Sequence, residues 1–159
     1  MLGFEPMLVK LPAQTVAYRT RSGPFEKIPE VTAEVFLWMK ENGHIPGGPP
    51  VGVFHSSPFG VPPEHQKWEL QIPLKNNFPV ELPETETTPG VKRLPEREAF
   101  VQLHSGIIED YAAVYQSMFA YLAKGGYRLA GPPEEVYHSP MDAPPEQMKI
   151  EIRFPVIKR

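Results

Sequence analysis

The chain has 159 residues, 41% hydrophobic and 22% charged, which is enough for one substantial core and ordinary for a globular protein. A formal charge of −3 with scattered basic residues argues against direct nucleic-acid binding, and zero cysteines exclude disulfides, thiol catalysis and cysteine-bound zinc. No apolar stretch approaches the roughly 18–20 residues of a membrane span and no secretory leader pattern is visible, so a cytoplasmic protein without a membrane partner is expected.

From Val9 to Arg21 the chain leans toward strand, most clearly over 15–20, and Ser22-Gly23-Pro24 closes it with a turn. Val31, Val35, Trp38 and Met39 then recur at helical spacing, with Pro29 suited to the first turn and Asn42-Gly43 to the end, which predicts a helix over 29–42. Pro50 to His55 reads as a short strand between tight turns. Over 67–74 the residues alternate, with Trp68, Leu70, Ile72 and Leu74 on one side and Lys67, Glu69 and Gln71 on the other. Residues 75–91, rich in Pro, Glu, Thr and Asn, carry little apolar periodicity and read as a connection.

The same order follows again: a strand over 98–103, a turn at Ser105-Gly106, a helix over 108–124 ended by Gly125-Gly126, and strands over 134–138 and 147–156. The 21 prolines punctuate these elements without forming a tract, so they stiffen turns.

The recurrence extends to the letters. Gly48-Pro49-Pro50 with Val53-Phe54-His55-Ser56 matches Gly131-Pro132-Pro133 with Val136-Tyr137-His138-Ser139 at a constant offset of 83 residues (48 to 131, 55 to 138). Pro62-Pro63-Glu64 through Ile72-Pro73 matches Pro144-Pro145-Glu146 through Phe154-Pro155 with one residue deleted. The chain is therefore read as a single domain of two pseudo-symmetric repeats, about 8–74 and 92–157, joined by 75–91. Each repeat runs β-α-β-β. The expected fold class is α+β: a joined antiparallel sheet with both helices on one side and a central ligand cleft.

The doubled β-α-β-β order, the strand Trp68-Glu69-Leu70-Gln71-Ile72-Pro73 and the stretch Glu135-Val136-Tyr137-His138-Ser139-Pro140 resemble the GyrI-like small-molecule-binding domain family over about residues 8–157. That module also serves as the effector-binding domain of AraC- and MerR-type transcription regulators. The resemblance implies a cleft for lipophilic, aromatic and cationic small molecules, approached by a glutamate on the third strand of the first unit, the position of Glu69. Such regulators carry a helix-turn-helix domain ahead of the module, whereas this chain enters its first strand by about residue 8, so a stand-alone module is expected. A separate regulator or DNA gyrase is a candidate protein partner by the same resemblance, although no residue pattern carries gyrase inhibition across.

Glu69 and Glu151 occupy equivalent repeat positions and are the candidate ligand-facing carboxylates. A carboxylate sunk among apolar groups is costly unless partnered, so the pKa of Glu69 is expected to rise. An organic cation held by aromatic rings would supply the partner. Trp68, Phe54, Tyr111, Tyr115 and Tyr137 are the candidate ring contacts, the tyrosines especially, because a hydroxyl is costly to bury unpaired. Phe36, Trp38, Phe119 and Tyr121 read as plain core. Stand-alone members of the resembled family also include hydrolases of cyclopropane-containing alkylating natural products, which would make Glu69 a general base and Tyr111 the donor to the leaving phenolate. His55 and His138 read as turn-stabilising, and no metal-ligand spacing, phosphate loop or nucleophile elbow is present, so neither metal nor cofactor is expected.

Overall fold

The computed structural model of the chain describes residues 5–57, 59–75 and 81–159. In chain order its elements are β1 (Met7–Leu11), β2 (Gln14–Ser22), α1 (Ile28–Glu41), β3 (Val51–Phe54), β4 (Lys67–Pro73), β5 (Gly90–Leu94), β6 (Arg97–Ser105), α2 (Tyr111–Lys124), β7 (Tyr127–Leu129), β8 (Glu134–Tyr137) and β9 (Lys149–Lys158). The 83-residue offset seen in the letters governs the elements too: 28–41 maps onto 111–124 and 51–54 onto 134–137. The architecture is α+β with antiparallel strand pairing, as the sequence implied. Among the described residues no helix is long and apolar enough to cross a membrane.

Two compact units form, and they do not coincide with a cut through the connection. One is the continuous stretch Pro12–Glu96; the other combines Arg97–Arg159 with the first eleven residues. In the first unit the strands pair in the order β3–β4–β2–β5, so the strand that opens the second repeat completes the sheet of the first. In the second unit β1 pairs with β6, β6 with β9, and β9 with both β7 and β8. The leading strands are thus exchanged between the repeats.

Each helix is amphipathic over the sheet of its own unit. Ile28, Val31, Thr32, Val35 and Met39 are the buried stripe of α1, and Tyr115, Met118 and Leu122 that of α2. The helix predicted from residue 108 starts at Tyr111, because the side chain of Asp110 accepts a hydrogen bond from the backbone N–H of Ala113 at 3.0 Å and fixes the first turn there. Gly43 and Gly126, with φ of 74° and 82°, follow the helix ends in the left-handed conformation that side chains disfavour.

The single strand expected over 9–21 is two strands, broken at Pro12-Ala13. β5 begins at Gly90, inside the stretch read as a connection. Of that connection residues 76–80 lie outside the described residues, and the rest is tied down. Leu82 bridges Val91 through a pair of backbone bonds of 2.8 and 2.9 Å, and the guanidinium of Arg19 donates to the carbonyls of Thr85, Glu86 and Thr88 at 2.5–2.7 Å. A Cβ on Gly90 would stand 2.5 Å from the Leu82 carbonyl oxygen, so only glycine lets these two segments approach.

Candidate functional site

In the unit built from residues 97–159 and β1, the short strand β8 reads Glu-Glu-Val-Tyr, and alternation sends Glu135 and Tyr137 to one face. Their register partners on β9 are Ile152 and Ile150, which belong with Tyr115, Met118 and Leu122 to the hydrophobic cluster beneath α2. A carboxyl group is therefore inserted into an apolar layer, with Glu135 only 8% exposed. Tyr115 donates its hydroxyl to one carboxyl oxygen at 3.0 Å, and Tyr137 donates to the other at 3.4 Å. Tyr111, one helical turn before Tyr115, is half-buried against the same cluster.

Among the described residues no Lys, Arg or His forms an ion pair with Glu135. Burial drives its carboxyl up to about 7, although the two phenol hydrogen bonds act the other way. Burial and the charge of Glu135 together push the Tyr111 phenol up to about 12 and raise Tyr115 and Tyr137 as well, so all three remain protonated donors. The result is a half-neutralised acid in an apolar, ring-lined setting.

The matching positions of the first half carry a different set of residues. At the same 83-residue offset, Glu135, Tyr137, Tyr111 and Tyr115 correspond to Gly52, Phe54, Ile28 and Thr32. Phe54 is 5% exposed and packs edge-on against Phe25 with ring centroids 5.0 Å apart, while Thr32 returns its hydroxyl to the Ile28 carbonyl at 2.7 Å. Where residues 28–54 place isoleucine, threonine, glycine and phenylalanine, residues 111–137 place an acid and three phenols.

Glu69, the carboxylate singled out from the sequence, is buried on β4 but fully partnered. Lys92 Nζ lies 2.6 Å from one oxygen, Gln71 donates to the same oxygen at 2.6 Å, and His55 Nε2 stands 3.3 Å from the other. Burial alone would raise its pKa as expected, but the bonds from Lys92, Gln71 and His55 and the Lys92 charge outweigh burial and hold it below the usual carboxylate range. Lys92 reaches it from β5, at the far edge of the same sheet, with its ammonium 4.3 Å from the centre of the Tyr18 ring. Glu151 is likewise paired, with His138 Nε2 at 2.9 Å and Arg153 Nε at 2.5 Å, and its pKa is lowered because these partners overcome the effect of burial.

His55 and His138 thus brace equivalent strand carboxylates with their rings. The turns themselves are closed by Ser56 and Ser139, whose hydroxyl oxygens accept the backbone N–H of Lys67 and Lys149 at 2.8 and 3.1 Å. Trp68 is 1% exposed and donates its indole N–H to the Gly23 carbonyl at 3.0 Å, which makes it a packing residue of the first unit. Of the residues proposed from sequence, Tyr111, Tyr115 and Tyr137 come together around Glu135, whereas Trp68, Phe54 and Glu69 belong to the other unit. Phe119 and Tyr121, read as core, are about 40% exposed and lie at the margin of the cluster, in T-shaped contact with Phe154 and Phe100 respectively. Among the described residues no group of three or more His, Asp or Glu side chains is placed to hold a metal ion.

Comparison with known proteins places this geometry in context. A family model described as a GyrI-like small-molecule-binding domain matches residues 4–157. The crystal structure of the EcmrR C-terminal domain superposes with a TM-score of 0.77 at 20% identity, each chain covering the whole of the other. EcmrR in its complex with DNA superposes over 98% of this chain with a TM-score of 0.80 at 15% identity; this chain spans 58% of the length of that one. A hydrolase from Listeria innocua gives a TM-score of 0.68 at 19% identity, covering 96% of this chain and 92% of that one. SAV2435 bound to tetraphenylphosphonium gives 0.51 at 18% identity, covering 97% and 94%. At these identities the likeness establishes the fold. A search of curated protein sequences finds no match.

Proposed function

We propose, from the premise that this chain belongs to the GyrI-like small-molecule-binding domain family, that it binds lipophilic, aromatic cations at Glu135, with Tyr111, Tyr115 and Tyr137 as its walls. The observation that carries this reading is a buried carboxyl that, among the described residues, is held only by phenol hydroxyls. Such a group lacks the cation that would stabilise its charge, and a ligand can supply it. The tyrosine rings add cation–π attraction of roughly 0.5–2 kcal/mol per well-placed ring. Glu69 is a weaker candidate for this role, because Lys92 already neutralises it. The cationic ligand in the SAV2435 structure supports the class of compound, and the regulator EcmrR supports the role of an effector-binding module. With a net charge of −3, direct contact of these residues with nucleic acid is not part of the reading.

A thermal-shift screen of tetraphenylphosphonium beside an uncharged tetraphenyl analogue of the same size tests it. Stabilisation by the cation and not by the analogue is expected; equal shifts would remove the carboxyl from recognition. A second reading has its own observation in its favour: a carboxyl titrating near 7 is suited to general-base catalysis, with Tyr111 as donor to a leaving phenolate. The Listeria hydrolase fold is compatible with it. Mass spectrometry of incubated hits separates the two, since a hydrolase adds water to its substrate and a binding protein returns the ligand unchanged.

A further inference from the structure

We infer that ligand capture at this site is an exchange of cation for proton: the empty site holds Glu135 as the neutral acid, and an incoming cation displaces its proton to solvent. The inference rests on the cation-binding reading above and adds how the site is controlled. Its basis is what faces the carboxyl from each element around it. From α2 come only the phenols of Tyr111 and Tyr115, with Met118 in the same layer. From β8 comes Tyr137, since the neighbouring Glu134 points to the opposite face and is paired with Arg97. From β9 come Ile150 and Ile152, while Glu151 and Arg153, alternating with them, turn to the opposite face and are bonded to each other.

Among the described residues no Lys, Arg or His forms an ion pair with Glu135. From β6, beyond β9, Gln102 and His104 share this face as register partners of Ile152 and Ile150, but they are bonded to each other at 2.8 Å, and burial holds the His104 imidazole below its ordinary pKa. Ionising Glu135 without a ligand therefore leaves its charge unpaired in a largely apolar layer. Protonation removes that penalty. When a permanently charged cation enters a site that holds the acid form, the O–H bond of the acid breaks, the electron pair stays on the carboxylate, and that proton leaves to solvent; a site already ionised releases none. The phenols stay protonated throughout and serve as donors to whichever oxygen carries the charge.

The linkage has a definite sign. Where the empty site is protonated, each pH unit of increase should strengthen binding about tenfold, and the slope should level off once the empty site is already ionised. The test is calorimetric titration of the intact protein with tetraphenylphosphonium, whose own charge is independent of pH, at pH 5.5, 7 and 8.5 in paired buffers of different ionisation enthalpy. Release of close to one proton per cation is expected at pH 5.5, about half at pH 7 and close to none at pH 8.5, with affinity rising at least tenfold across the range. Glu135→Gln should bind more weakly with no proton release. Tight binding with no proton release at any pH would overturn the exchange while leaving cation binding intact. Full proton release retained in Glu135→Gln would overturn it by tracing the proton to another group. No binding at any pH would remove the cation reading itself, and the exchange with it.

Discussion

Two buried glutamates in this chain have opposite electrostatic fates, and the difference lies in which residues surround them. Glu69 meets an ammonium, an amide and an imidazole; Glu135 meets phenols. A carboxyl lifted from 4.5 to about 7 carries a folding penalty that is absent below pH 4.5 and grows as pH rises toward 7. Glu135→Gln should therefore be more stable than wild type by about 3 kcal/mol at pH 8, with the advantage disappearing near pH 4.5. Glu69 has a lowered pKa, so its contribution is present above the ordinary carboxylate value and is lost as pH falls through its folded value. Glu69→Gln should be less stable than wild type at pH 7, by about 1–3 kcal/mol for a disrupted buried charge pair, with a smaller deficit at pH 3. Urea titrations of the two variants across this range check both signs.

The residue scale is also where the sequence was hardest to read. Glu69 looked unpartnered because Lys92 lies 23 residues downstream (69 to 92), beyond a connection that showed no strand of its own. Glu135 sits beside Glu134 in a pair that resembles a solvated strand. Its signal was the recurrence itself: the 83-residue offset sets Glu135 against Gly52 and Tyr115 against Thr32, so an acid and a phenol stand where the first half has a glycine and a threonine. The hydroxyl argument did bring Tyr111, Tyr115 and Tyr137 forward, because a phenol near a core needs a hydrogen-bond partner.

At the scale of elements, helical periodicity and terminal glycines made both helices legible, and alternation did the same for β4. The short strands β1, β5 and β7 were less visible. Each is three to five residues long, too short for a periodic pattern to stand out. The N-terminus of α2 links fold to site, since Asp110 caps the turn that carries Tyr111 and leads to Tyr115. By contrast, α1 starts with no side-chain cap. Asp110→Ala should cost about 1 kcal/mol of stability and also weaken tetraphenylphosphonium binding, because fraying there moves two of the three phenols. Loss of stability with unchanged affinity, measured by calorimetry, would show that the first turn of α2 does not position the site.

For the whole molecule, the recurring order of elements was plain in the letters, but exchange of the leading strands was not, because nothing in a recurring pattern says which half its first strand will join. The exchange makes the first eleven residues part of the unit that holds Glu135, although they are the farthest from it in sequence. Deleting residues 2–11 should speed amide exchange in β6 and β9 while β2 and β4, which keep β5 as their edge, remain protected. Uniform loss of protection would indicate that the two units unfold as one.

The central claim is that the second repeat, through Glu135, recognises the charge of a lipophilic cation. Calorimetric titration of tetraphenylphosphonium into wild type, Glu135→Gln and Glu69→Gln at pH 8 tests it most directly. Affinity should fall roughly 10- to 150-fold in Glu135→Gln, the equivalent of about 1.5–3 kcal/mol for a contact to a charged group, and stay within about threefold of wild type in Glu69→Gln. The reverse pattern, with Glu69→Gln losing the ligand and Glu135→Gln keeping it, would contradict the account.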